Sequence, residues 1–247
     1  SSAASDVYKR QPYRRLPNTD QARIRALKAV VAKADVQNLY DLAVSLKTLT
    51  EARNFLTRFE AAQSYYLQCF ERQSQAGHKH QANVKMARLY VSHFIQVLNL
   101  AVIRSEVRVA HKAYYGLPGD STNVPDLSTE TALVEWGRKI IDGEAKRTSQ
   151  GGIPIYNPTI AKVRVHYDIF TDSYDRQKNL QALTARSLES LSAMRTTADE
   201  LILDIWNQVE KKFEDVSPNE KRLDLCRDYG LIYYYRTGEK RKEEVNK

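Results

Sequence analysis

The chain has 247 residues, 42% hydrophobic and 28% charged, with 9 glycines, 7 prolines and a formal net charge of +8. That composition excludes a disordered, collagenous or disulfide-framework protein. It fits a soluble globular chain of one large or two small domains, with few turns and long regular elements. The basic balance permits binding to nucleic acid or an anionic surface without arguing for it, because 30 acidic residues are spread along the chain.

The first eleven residues, SSAASDVYKRQ, hold neither an initiator Met nor an apolar run. Ser1–Gln11 resembles, residue for residue, the forward translation of a transposase-type sequencing adapter. The resemblance implies a non-native segment on a metagenomic reading frame, which hides the true start and any export signal. Lys9, Arg10 and Asp6 carry a net +1 of the +8, leaving +7 for the rest. The expectation is one helical-bundle domain over 12–236 and a charged flexible tail over 237–247.

Pro17-Asn18-Thr19-Asp20 ends an irregular lead-in and offers N-cap side chains, after which Ile24, Leu27, Val31 and Ala34 recur at helical spacing. Residues 36–47 read equally as continued helix or extended connector. Thr48 to Glu51 has the form of a capping box, and Ala52, Phe55, Phe59, Ala62, Tyr66 and Cys69 follow at 3–4 spacing. Gly77 is predicted to stop this second helix at a C′ position. A third helix is predicted from about Gln81 to Tyr115, and a fourth from a Ser128 or Thr129 cap to about Arg147. Asn157-Pro158 predicts a cap followed by proline at the first helical position of a fifth helix, which carries Ile160, Val163, Tyr167, Phe170 and Tyr174 on one face. Thr197 to Glu200 and Ser217 to Glu220 read as capping boxes of a sixth and a short seventh helix, the latter closed by Gly230. LIYYYRTGEK reads as a short strand, with Ile153–Tyr156 as its candidate partner.

Long helices with few turns predict an all-α fold, an antiparallel bundle with smaller packed helices and a minor two-stranded β patch near the C-terminus. On the third helix, Lys85, Arg88, Ser92, Gln96, Asn99 and Ile103 fall in one narrow arc and nearly everything else is apolar. This helix is therefore expected to be central, with Ser92, Gln96 and Asn99 as its solvated stripe rather than a ligand row. The run Leu89–Ile103 is too short and too interrupted to be read as a membrane span.

Catalytic constellations are missing from the sequence. No Glu-x-x-His serves a di-iron bundle, and no Walker loop, zincin motif or nucleophile elbow occurs. His78 and His80 read as a solvated turn beside Gly77, His93 as a core or boundary residue, and His111 as a cation near a helix C-terminus. His166 and Asp168 are adjacent but not on one helix face. An unfamiliar enzyme would have to use His93, His166 or Tyr167 in a bundle cavity. No catalytic residue, cofactor or metal is assigned. Cys69 and Cys226 lie in apolar helical patterns and are expected to be reduced, buried thiols of a cytoplasmic protein, with a bridge between them the alternative. Trp136 and Trp206 are expected to anchor a core or an interface.

Two stretches form the candidate interaction surface. Tyr233, Tyr234, Tyr235, Arg236, Lys240, Arg241 and Lys242 interleave aromatics with cations, which suits stacking on bases and contact with phosphates. Arg14 and Arg15, with Arg23, Arg25 and Lys28 beyond them, form a second basic stretch holding one acid, Asp20. The case for nucleic acid improves if the two stretches meet in space.

YVSHFIQVLNLAV, IYNPTIAKVRVHYDIF and ADELILDIWNQVE are similar to an uncharacterised family of helical proteins from Bacteroidetes, over most of residues 12–236. The resemblance implies a bacterial source and carries no activity, cofactor or catalytic residue. The functional expectation is a non-catalytic structural or protein-interaction module, with a protein partner or self-association. The alternative is a nucleic-acid-associated protein that uses its basic terminal segments.

Overall fold

The computed structural model describes residues 12–235. The fold is all-α: 74% of the described residues are helical, with six α-helices and one two-stranded antiparallel sheet among them. In chain order the elements are β1 (Tyr13–Arg14), α1 (Asp20–Val36), a 3-10 turn at Leu39–Asp41, α2 (Leu46–Ile103), a 3-10 helix at Val109–Tyr115, α3 (Glu130–Ser149), α4 (Ile160–Ala193), α5 (Arg195–Lys212), α6 (Asn219–Asp228) and β2 (Tyr233–Tyr234). They form two compact units, one drawn from described residues 12–67 and 186–235 and the other spanning Gln68–Ala185.

The first unit is built on Leu27, Val30, Phe59, Ile205, Trp206 and Tyr229, all at most 1% exposed. Thr19 caps α1 by accepting from the Ala22 amide, as its side chain predicts. The connector after α1 takes neither of the two predicted forms throughout. It makes one 3-10 turn, and the Tyr229 hydroxyl ties it down by accepting from the Ala43 amide and donating to Gln37 Oε1. Helix α2 starts two residues before the Thr48 box. Ser45 Oγ takes the Thr48 amide, so Thr48 is buried and donates instead to Asp204. The predicted box at Thr197 also fails. Only Met194, in helical conformation, separates α4 from α5, and no side chain caps the junction. Pro218, not Ser217, stands at the N-cap of α6, again without a side-chain cap, while Gly230 ends that helix at φ +86° as predicted.

The second unit packs Val91, Phe94, Ile95 and Leu98 of α2 against Tyr115, Leu133 and Ile140, and against Val163 and Phe170 of α4. Helices α2 and α4 run antiparallel here: His80 meets Ser173 and Tyr90 meets His166. The predicted second and third helices are one 58-residue helix, and Gly77 does not stop it. A helical glycine costs only about 1 kcal/mol against alanine, and the apolar rows that continue on both sides of it outweigh that. The stop comes at Ser105, at φ +63°, where the Glu106 and Val107 amides turn back to the Ala101 carbonyl. The stretch predicted to carry the helix to Tyr115 therefore becomes a separate 3-10 helix, closed by Gly116 at φ +69°.

Thr129 caps α3 as predicted, accepting from the Ala132 amide, and Lys146 and Arg147 complement its C-terminal dipole. The predicted Asn157-Pro158 start of the next helix is displaced. Asn157 lies at φ +63° before a cis bond, and Thr159 Oγ1 receives the Lys162 amide at the true start. Ile153–Tyr156 is irregular, so it is not the partner of β2. That partner is β1, with Tyr13 opposite Tyr234 and Arg14 opposite Tyr233.

Candidate functional site

The β1–β2 pair brings together the two stretches singled out in the sequence. The Tyr13 and Tyr234 rings, each 44% exposed, lie 6.2 Å apart, and the Arg15 guanidinium sits 5.7 Å over the Tyr234 ring. Other members of the set are already engaged. Arg14 donates to Asn207 Oδ1 and Glu210 Oε2, both at 2.9 Å, and the Tyr233 hydroxyl donates to Glu210 Oε1 at 2.8 Å. Burial and the bond to Glu210 push the Tyr233 phenol up, so it stays neutral. Arg14, Glu210, Arg222, Cys226 and Tyr233 line a cavity of about 260 Å³ beside the pair. Tyr235 reaches Glu220 at 3.4 Å. Farther along the basic stretch, Arg23 is buried against Asp199 and Asp20, and Lys28 pairs with Glu60. Arg236, Lys240, Arg241 and Lys242 lie outside the described residues.

On α2 the solvated stripe differs from the predicted one. Asn99 is only 4% exposed and donates to the Thr122 carbonyl, and Arg88 donates to the carbonyls of Leu127 and Ser128. The segment after the 3-10 helix covers that side, which the sequence pattern of α2 alone could not show. The exposed side is instead Met86, Leu89, His93, Gln96, Leu100 and Ile103. Four of these are large apolar residues, with Leu89 at 57% and Ile103 at 63% exposure. Val165 and Ile169 are exposed on α4, flanking His166, whose ring stacks 4.1 Å from that of Tyr90. Helix α2 also holds an 18-residue window of mean hydropathy 1.4, of which 39% is buried. By length and composition it is the one helix among the described residues able to cross a membrane.

The histidines depart from their sequence reading in several respects. His93 is exposed rather than a core or boundary residue, His78 is exposed within the continuous α2 rather than in a turn, and His111 lies in the 3-10 helix against Tyr114. His80, however, is 2% exposed inside the continuous helix rather than in a solvated turn. Its Nδ1 lies 2.9 Å from Ser173 Oγ and its Nε2 lies 3.1 Å from Glu130 Oε2. Serine, imidazole and carboxylate are the components of an acyl-transfer triad, but the proton flow is wrong for one. The Ser173 hydroxyl donates to its own helix at the Phe170 carbonyl, so it accepts from the ring rather than yielding a proton to it. The arrangement tethers α2 to α3 and α4. The spacing of Gly77 and His80 hides this, because the partners come from helices far along the chain.

A second polar cluster was likewise invisible in the sequence. Glu144 and Arg147, 0% and 3% exposed, pair within α3. The Tyr115 hydroxyl donates to Glu144, Arg147 donates to the Ile153 carbonyl at 2.7 Å, and the Ile155 amide donates to Glu144 Oε1 at 2.8 Å. These bonds fasten the loop after α3 to the helix and to the 3-10 segment. Among the described residues no three His, Cys, Asp or Glu side chains converge as metal ligands. Cys69 and Cys226 are buried free thiols, and Trp206 is wholly buried while Trp136 is partly so, under the Lys139 ammonium. Comparison with protein-family models, curated proteins and solved structures yields no match.

Proposed function

We propose that the protein is a non-catalytic interaction module that presents the outer face of α2 to another protein. One observation carries the reading: a core helix turns a row of large apolar side chains to solvent on the side opposite its own core. The Glu144–Arg147 cluster inside the same unit is closed on itself, which leaves the apolar row as the unit's largest exposed feature. A photoreactive benzophenone residue placed at position 89 of the full chain tests this in bacterial cells. The expected result is an adduct with a protein identified by mass spectrometry. Adducts with lipid alone, or none, would overturn it.

A second reading is favoured by the meeting of Arg15, Tyr13 and Tyr234 at the β1–β2 pair. This patch suits a single-stranded nucleic acid, with a base on the tyrosines and a phosphate near Arg15. It expects an oligothymidylate to bind with log affinity falling by about 0.7 per contacted phosphate for each decade of salt, and Arg15→Ala to flatten that slope. A salt-independent response would dismiss it.

A further inference from the structure

The exposed row on α2 has a spacing and an order that identify a partner. Met86, Leu89, His93, Gln96, Leu100 and Ile103 follow one another at steps of 3, 4, 3, 4 and 3 residues, the a/d spacing of a coiled-coil seam. All six are exposed, while Ala87, Val91, Phe94, Ile95 and Leu98 face the unit's own core. A heptad seam facing water is complementary to another helix.

The order of residues along the seam is also symmetric. It reads apolar, apolar, polar, polar, apolar, apolar about a midpoint between Phe94 and Ile95. Two copies laid antiparallel about a two-fold axis at that point place Met86 against Ile103, Leu89 against Leu100 and His93 against Gln96. Each apolar residue then meets an apolar one, and the two polar residues meet each other, in both halves of the interface. A two-fold interface requires such self-complementarity, since whatever one copy presents the other must accept. A parallel, in-register pairing would instead set His93 against His93. The central polar layer fixes alignment, because a slip of one heptad buries His93 or Gln96 against leucine.

We infer that this protein forms an antiparallel homodimer through the α2 seam, with the proposed interaction function resting on a second copy as the partner. The helix is already folded on its own core, so association orders only side chains. The seam spans 18 residues, about 27 Å at 1.5 Å per residue. Val165 and Ile169 are also exposed, on α4 near the His166 ring that stacks on Tyr90 of α2. Such a strip is smaller than the roughly 800 Å² per partner of tight complexes, so a dissociation constant on the order of 10 µM is expected.

Sedimentation velocity on the full chain, from about 1 to 200 µM, tests both the dimer and its direction. Leu89→Glu and Leu100→Lys each place a charge against leucine in both halves of the interface. Each variant alone is expected to lose dimer affinity by at least about tenfold, with an unchanged circular dichroism spectrum. Mixed one to one, the two variants are expected to recover most of it. In the mixed pair one contact becomes Glu with Lys and the other stays Leu with Leu. Recovery is specific to the antiparallel register, because in a parallel pair positions 89 and 100 never meet. A wild-type monomer across the range, a dimer indifferent to both substitutions, or a mixture that fails to recover would each overturn the inference. So would a monomer that binds phosphatidylcholine vesicles through the same residues. A benzophenone adduct at position 89 with a different protein would overturn the homodimer and leave the broader interaction reading standing.

Discussion

Glu144 and Arg147, one turn apart on α3, form an ion pair sealed from solvent and bonded on all sides to Tyr115, Ile153 and Ile155. Taking two charges out of water costs free energy that only full pairing offsets, so the pair is vulnerable to loss of either partner. Glu144→Gln is expected to destabilise the protein by about 3–5 kcal/mol, because it leaves the guanidinium buried without a counter-charge. Arg147→Met leaves the carboxylate in the same position, with a loss of similar size. Combining Glu144→Leu with Arg147→Met is expected to cost less than either single change. Urea unfolding midpoints of the three variants give the comparison.

Tyr115 makes the same cluster sensitive to alkali. Burial, then the neighbouring Glu144 carboxylate, push its phenol up, against an opposing pull from Arg147. A group whose folded pKa is raised contributes stability that is complete below its unfolded value, about 10 for tyrosine, and is lost as pH rises beyond it. Tyr233 is raised for related reasons in the other unit. The melting temperature is therefore expected to fall as pH rises from 9 to 11. Tyr115→Phe is expected to be less stable at pH 8, having lost its bond to Glu144, but to show a shallower alkaline decline. Thermal melts at matched ionic strength across that range separate the two effects.

Gly137 is required by contact rather than by conformation. A Cβ at this position would stand 2.3 Å from the ring of Tyr167, which packs on α3 and donates to the Val134 carbonyl. Gly137→Ala is thus expected to destabilise by about 1–3 kcal/mol, although alanine has the higher helix propensity. Trimming Tyr167 to Leu in the same chain is expected to remove most of the added cost of the alanine. A double-mutant cycle measured by chemical denaturation gives the coupling, and additivity of the two changes would refute the contact as its cause.

Much of this architecture was legible in the sequence, and the failures share one origin. Thr19, Thr129 and Gly230 declared their helix ends because capping is local chemistry. Thr48, Thr197 and Ser217 carried the same signature and did not cap, since tertiary contacts such as Thr48 with Asp204 claimed or bypassed them. Gly77 carries the local signature of a stop, but the buried rows on both sides of it, Phe59 and Cys69 before and Val84, Val91 and Phe94 after, carry the helix through. The stripe on α2 was displaced around the helix because Asn99 and Arg88 bond a loop far along the chain. Tyr233 and Arg14 belong to the candidate interaction surface of the sequence, yet both converge on Glu210, a residue that no local pattern connects to them.

Cys226 shows how that convergence sets chemical behaviour. It is 1% exposed beside Tyr233, and burial pushes its thiol up, against smaller lowering effects from Tyr233 and two arginines. Cys69, at 2% exposure, is sealed on α2. A reagent needs the thiolate and a path to it, and both sulfurs present almost no surface, Cys226 bordering its cavity only beneath Tyr233. Alkylation by iodoacetamide at pH 8 is therefore expected to run at least about 100-fold slower in the folded protein than in urea, where both thiols should react. Tyr233→Ala opens the cavity over Cys226 and removes a packing neighbour, so it is expected to accelerate labelling at that site. Cys69 serves as the internal control, read by peptide mass. Equal acceleration at both sites would mean that the substitution had unfolded the chain globally, and would discount the cavity as the route of access.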